Sequence, residues 1–160
     1  MKNIKCVFMF LAAVFLLSGS VFARSRYFQF GNLNHLSVDI TSTWTKLDTT
    51  ATAHVFATKI KNGTLEVHVN SLFSIGELID GYGVRFQVRV DDKIADFENQ
   101  GAIQASNSEM FLSIFAVFNK IRPGKHTVSI WAQAAPTGSA TDVVVDCGGW
   151  DGKIIIEEHE

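Results

Sequence analysis

The chain has 160 residues, 14 Lys or Arg against 16 Asp or Glu, 47% hydrophobic residues and a formal net charge of −2. That balance excludes the basic surface required by nucleic acid or by an anionic membrane. The length suits one domain with a sizeable core, and two cysteines are too few for a disulfide-built scaffold.

Lys2 and Lys5 precede an apolar run over 7–17. Ser18-Gly19-Ser20 then leads to Val21-Phe22-Ala23, with small residues at the two positions a signal peptidase reads. Cleavage after Ala23 is expected rather than an uncleaved anchor, because the run is shorter than the ~20 residues of a membrane span. Residues 1–23 are thus read as a signal peptide and 24–160 as a single domain; removing 23 residues from 160 leaves 137. Two of the 14 basic residues leave with the leader, so 12 face 16 acidic groups, for a net −4. Cys6 leaves as well. Cys147 then stands alone, either a free thiol or a bridge between chains.

After an initial strand around 27–30 and a loop to residue 42, short period-two runs recur between Gly, Asn, Asp and Ser clusters, the pattern of a sandwich or barrel. Residues 55–60 and 65–70 flank Lys61-Asn62-Gly63-Thr64, and Asn-Gly predicts a type I′ hairpin. Its register sets Ile60 against Leu65, Thr58 against Val67 and Phe56 against Val69, with Lys59 opposite Glu66. Val84, Phe86, Val88 and Val90 alternate with Arg85, Gln87 and Arg89 in a strand with one wet face. Asp91-Asp92 predicts a turn into a short strand around Ile94, and 97–108 reads as a polar loop.

Residues 110–118, MFLSIFAVF, are apolar on both faces of a strand. Met110, Leu112, Ile114, Ala116 and Phe118 fall on one side; Phe111, Phe115 and Val117, interrupted by Ser113, fall on the other. A buried helix over 110–121 is the competing assignment, but strands flank the segment and a turn at Ile121-Arg122-Pro123-Gly124 closes it. A strand apolar on both sides needs a second cover, and in a small domain that cover is expected to be another subunit. Alternation resumes over 126–133, and 143–145 and 154–156 are short continuous apolar runs.

Several anchors recur in a recognisable order: Ser42-Thr43-Trp44-Thr45-Lys46-Leu47, Val55-Phe56-Ala57-Thr58-Lys59, Leu65-Glu66-Val67, Gly83-Val84-Arg85-Phe86, Val128-Ser129-Ile130-Trp131-Ala132, and the ending Gly149-Trp150-Asp151-Gly152-Lys153-Ile154-Ile155-Ile156-Glu157-Glu158. Over 44–158 the chain resembles the C1q and tumour-necrosis-factor jelly rolls, in particular the globular C-terminal domain of the collagen triple helix repeat-containing family. The resemblance implies a two-sheet jelly roll assembled as a homotrimer, with an apolar face of each protomer at the three-fold axis. Two features depart from such relatives: these 160 residues contain no collagen-like Gly-X-Y run, and their cysteine-rich pattern is absent.

Motifs for chemistry are sparse. The five histidines, at 35, 54, 68, 126 and 159, lack the short spacings of a zinc motif, which leaves them as surface or interface residues unless His54, His68 and His126 converge in space. Asp80, Asp91, Asp92, Asp142, Asp146 and Asp151 lie beside glycines or turns. There Asp is ordinary turn chemistry, although facing pairs could serve a glycosidase or hold calcium. No Gly-x-Ser-x-Gly or phosphate loop occurs, and nothing beside Cys147 would activate its thiol. Trp44, Trp131, Trp150 and Tyr82 offer aromatic area for core packing or for a sugar platform. Asn62-Gly63-Thr64 matches a glycosylation sequon.

The expectation is an all-β, two-sheet antiparallel jelly-roll sandwich, secreted to the extracellular space (periplasmic in a bacterium lacking further export). It is expected to be non-enzymatic and homotrimeric, and to recognise a protein or glycan through end loops at 71–83, 97–108 and 136–149. Met110, Phe111, Phe115, Val117, Ile154, Ile155 and Ile156 are expected at the contact between copies. No cofactor is expected, calcium being the ion that acidic loops could take, and no nucleic-acid partner or membrane span after cleavage. A monomeric carbohydrate-binding module is the alternative, marked by an exposed row of Trp side chains; an Asp-dependent glycoside hydrolase is a second.

Overall fold

The computed structural model describes residues 24–29, 38–47, 54–58, 63–135, 137–145 and 152–159. The expected leader at 1–23, the glycosylation site Asn62, and His35, Asp146, Cys147, Trp150 and Asp151 lie outside them. Every regular element among the described residues is a strand: β1 Arg24–Gln29, β2 Thr45–Lys46, β3 His54–Thr58, β4 Gly63–Ile75, β5 Leu78–Ile79, β6 Gly83–Val90, β7 Lys93–Ile94, β8 Phe97–Asn99, β9 Gly101–Ile103, β10 Ser108–Ile121, β11 Gly124–Ala135, β12 Ser139–Ala140, β13 Val144–Val145 and β14 Lys153–His159.

Twelve of them form two antiparallel sheets, and β5 and β12 pair in a separate two-stranded one. The first runs β1-β14-β4-β10-β8 with β13 added on β4; the second runs β2-β11-β6-β7, with β3 on β11 and β9 on β6. The pairings nest: β1 with β14, β2 and β3 with β11, β4 with β10, and β6 with β9. A ribbon paired from its ends inward and folded into two layers is a jelly roll.

Alternation drives the layering. On β4, Leu65, Val67, Val69, Ser71, Phe73 and Ile75 are buried, while the residues that alternate with them are partly exposed. Leu112, Ile114, Ala116 and Phe118 of β10, with Ile154 and Ile156 of β14, complete the inner face of the first sheet. Val84, Phe86, Val88 and Val90 of β6 meet them with Val128, Ile130, Ala132 and Ala134 of β11. Phe73 and Phe86 join the layers, their ring centroids 4.6 Å apart. At ~25 cal/mol per Å² of apolar area removed from water, this double layer is the main source of stability.

The turns follow their residues. Asp91 and Asp92, at φ 49° and 63°, make the β6–β7 turn in the left-handed pair of conformations that a two-residue hairpin requires. Asp80 and Asp142 also take positive φ, at 51° and 49°, so these carboxylates serve turns. Arg122 and Pro123 carry the chain from β10 in one sheet to β11 in the other.

Two expectations are corrected. β3 does not form a hairpin with β4: Phe56 pairs with His126 and Ala57 with Lys125 on β11, in the other sheet. β4 already has β10 on one edge and β14 on the other, so no edge is left for β3. The polar segment 97–108 is not simply a loop. It supplies β8 to the first sheet and β9 to the second, crossing at Gln100, and Phe115–Asn99 and Arg85–Ala102 are its register points.

Candidate functional site

Three surfaces could carry function: the outer face of the first sheet, one end of the sandwich, and the outer face of the second sheet. Alternation defines the first. Phe111, Ser113, Phe115 and Val117 of β10 lie opposite Leu72, Asn70, His68 and Glu66 of β4. Beyond β4 come Ile155, in line with His68, and Glu157, in line with Glu66; Tyr27 of β1 holds the next register position after Ile155. Phe97 of β8 pairs with Val117 at the far edge. Phe111 is 63% exposed and Phe97 61% exposed, while Phe115, Val117, Leu72 and Ile155 are half-buried. The ring of Phe115 lies between His68, 4.7 Å away by centroids, and Phe97, 6.2 Å away.

The expected contact residues therefore divide. Phe111, Phe115, Val117 and Ile155 share the outer face. Ile154 and Ile156 do not, since both are wholly buried in the protomer's own core and unavailable to a second copy. Period-two geometry puts Ile154 and Ile156 on the face opposite Ile155, so the three cannot all line one contact. Met110 stands opposite Phe73 on the inner side, at the rim of the sandwich, where it is 45% exposed.

At one end, the connections after β4, β9 and β12 are tied together by hydrogen bonds. Gly76 N–H donates to the Thr141 carbonyl at 2.8 Å, Asn107 N–H to the Gly76 carbonyl at 2.6 Å, and Thr141 N–H to the Glu77 carbonyl at 3.0 Å. Leu78 N–H donates to Ser106 Oγ at 3.0 Å, and the two-strand β5–β12 ladder caps the group. The expected recognition loops thus do converge among the described residues, but they are narrower than read from sequence. Residues 71–75 belong to β4, 97–99 and 101–103 to β8 and β9, and 144–145 to β13. Tyr82 stands out from this end almost fully exposed, and Ile79 is partly exposed.

On the second sheet, Arg85, Gln87 and Arg89 of β6 point away from the core beside Ser129, Trp131 and Gln133 of β11. The Arg89 guanidinium lies 4.0 Å over the Trp131 ring and 5.7 Å from that of Trp44, and the Arg85 guanidinium lies 6.0 Å from that of Trp44. Arg89 Nε donates to Gln87 at 3.0 Å, Arg85 to Gln133 at 2.9 Å, and Trp131 Nε1 to Ser129 Oγ at 2.9 Å. The indoles are half-buried and interleaved with cations. They form a cation–π ladder, not the bare Trp row that a sugar platform requires.

His68 and His126 do not converge. His68 is on the outer side of the first sheet, whereas His126 is buried in β11 of the second. Nδ1 of His126 is 2.6 Å from Asp91, and Nε2 is 2.6 Å from the Arg122 carbonyl. The ring thus links the β10–β11 connection to the β6–β7 turn. Asp91 also accepts from Thr127 N–H at 2.8 Å, which ties the β6–β7 turn to β11.

Glu98 plays a part that sequence reasoning missed. β6 is paired to β7 at Arg89 and Val90 and to β9 at Val84, Arg85 and Phe86, which leaves Val88 without a strand partner on that edge. The Glu98 carboxylate, on β8 of the opposite sheet, accepts the Val88 N–H and closes the gap. Burial pushes its pKa up to about 7, against the opposing effects of that bond, the Gln87 side chain and the Arg89 charge. Among the described residues, Glu66, Glu157 and His159 are a further group placed to hold a metal ion.

No protein-family description matches the chain, and neither does any curated protein. Among solved structures, it is similar to "Structure of infectious bursal disease virus Gx strain" at 10% identity and a TM-score of 0.20, over 88% of this chain. The chain spans 36% of the length of that protein.

Proposed function

We propose that the protein is an exported, non-enzymatic C1q-like module that assembles as a homotrimer through the outer face of its first sheet. Its ligand, a protein or a glycan, is taken by the end cluster around Tyr82. The observation that carries this reading is the exposure of Phe111 and Phe97 on a face that also holds Phe115, Val117, Leu72 and Ile155. Contiguous apolar surface of this kind marks a contact site. A second copy is the occupant that fits best. The nested strand order is that of a jelly roll, and the ordered anchors from Trp44 to Glu158 resemble a family that trimerises through such a face. A carbohydrate-binding module is less well supported, because Arg85 and Arg89 already cover the Trp44 and Trp131 rings.

The test is chemical crosslinking of the native protein at submicromolar concentration. A ladder ending at three chains supports the assembly. A single-chain band alone, under conditions that crosslink a known trimer, overturns it.

A further inference from the structure

Beside the apolar rows, the outer face of the first sheet places two like charges in direct opposition. Glu66 of β4 and Glu157 of β14 are register partners. Like charges directly opposite on neighbouring strands destabilise a sheet. His159 lies two residues along β14 on the same side, and its Nε2 is 3.6 Å from a Glu66 oxygen and 3.9 Å from a Glu157 oxygen. Both separations exceed hydrogen-bond length. Nε2 is nevertheless sealed from solvent and has no hydrogen-bond partner. One ligand atom from each of the three residues lies within 4.8 Å of the others.

A cation between them would remove the repulsion and satisfy the orphaned nitrogen at once. Ligand atoms bound at ~2.0–2.2 Å around a tetrahedral zinc stand roughly 3.3 Å apart, so small side-chain movements suffice to close the set. Calcium and magnesium take six or more oxygens, whereas an imidazole nitrogen with two carboxylates suits a zinc-type ion.

We propose that Glu66, Glu157 and His159 form a binding site for a divalent zinc-type ion, with water as the fourth ligand. The site lies within one protomer and does not depend on how copies associate. Its three ligands come from two adjacent strands of the first sheet, so they are held in place before the ion arrives.

Zinc titration of the purified protein by calorimetry, beside Glu66→Gln, Glu157→Gln and His159→Gln, tests the site. One zinc per chain is expected, bound at least about tenfold more weakly by each variant. Zinc is expected to raise the wild-type unfolding midpoint by more than those of the variants, and calcium to move none of them. In the absence of metal, Glu66→Gln should unfold no earlier than the wild type, which shows that its lost affinity is not lost folding. If His159→Gln does not fold, Glu66→Gln and Glu157→Gln carry the comparison. Equal zinc affinity in wild type and variants, or no zinc binding by the wild type, overturns the proposal; the second result would leave His159 as a simple ion-pair partner of the two glutamates.

Discussion

His68 and Phe115 are register partners on β4 and β10, with ring centroids 4.7 Å apart on the outer side of the first sheet. A polar-tipped ring thus lies against an apolar one on a face where Phe111 is left largely in solvent. If copies cover this face for one another, Phe115 lies near the centre of the contact. Phe115→Asp should weaken association by roughly 2 kcal/mol or more per subunit, which is about thirtyfold. Size-exclusion chromatography should show later elution, with the far-ultraviolet circular dichroism of the wild type retained. Unchanged elution would place the contact elsewhere.

Glu98 gives stability a specific pH dependence. The folded carboxyl titrates near 7, against an ordinary value of 4.5. Between those values the folded state binds more protons than the unfolded one, so stability falls as pH rises through this window and levels off above it. Glu98→Gln keeps an acceptor for Val88 N–H and removes the buried charge. Thermal midpoints measured from pH 4.5 to 8 should decline less for the variant, which should be the more stable protein at pH 8. Parallel curves would show that Glu98 is not the group responsible.

The Arg89–Trp131 stack contributes through planarity as well as charge. Arg89→Lys keeps the charge and loses the flat guanidinium lying 4.0 Å over the indole and its bond to Gln87. The expected cost is about 1 kcal/mol in chemical denaturation. Trp131→Ala should cost more, about 2 kcal/mol, since a half-buried indole leaves a smaller gap than a core one.

Gly83 opens β6 at φ 151°, and an added Cβ would stand 2.6 Å from the Ile103 carbonyl oxygen. Neither backbone has room to yield while β6 and β9 stay paired at Val84 and Ile103. Gly83→Ala should therefore destabilise the protein by about 1–3 kcal/mol, read as a lower urea midpoint. A neutral result would mean that the β6–β9 edge is looser than its pairing implies.

The strands most legible in the sequence are those whose alternation is strongest. β6 and β11 show it in Val84, Phe86, Val88 and Val90 and in Val128 and Ile130, and β10 shows it on both sides. The Asp91-Asp92 and Arg122-Pro123 turns were equally readable, because local backbone chemistry decides them. The partner of β3 was not. Asn62-Gly63 carries a hairpin signal and the flanking side chains agree with it, yet competition for the edges of β4 is settled by β10 and β14, far away in sequence. The same limit applies to the sites. Trp44 and Trp131 stand out as aromatics, but only sheet pairing sets Arg89 between them. Glu66 meets Glu157 and His159 only because β4 and β14 are neighbours, and no spacing within either segment announces it. Among the isoleucines 154–156, period two separates Ile155 from Ile154 and Ile156, but which side faces out is set only by the pairing of β14 with β4. The continuous apolar run concealed that choice.

The central claim is that the Phe111–Phe115–Val117 face is covered by further copies of the chain. The mass of the purified protein by multi-angle light scattering at micromolar concentration tests it most directly. Three chain masses are predicted, falling towards one for Phe115→Asp. A wild-type mass of one chain at every concentration measured would contradict it.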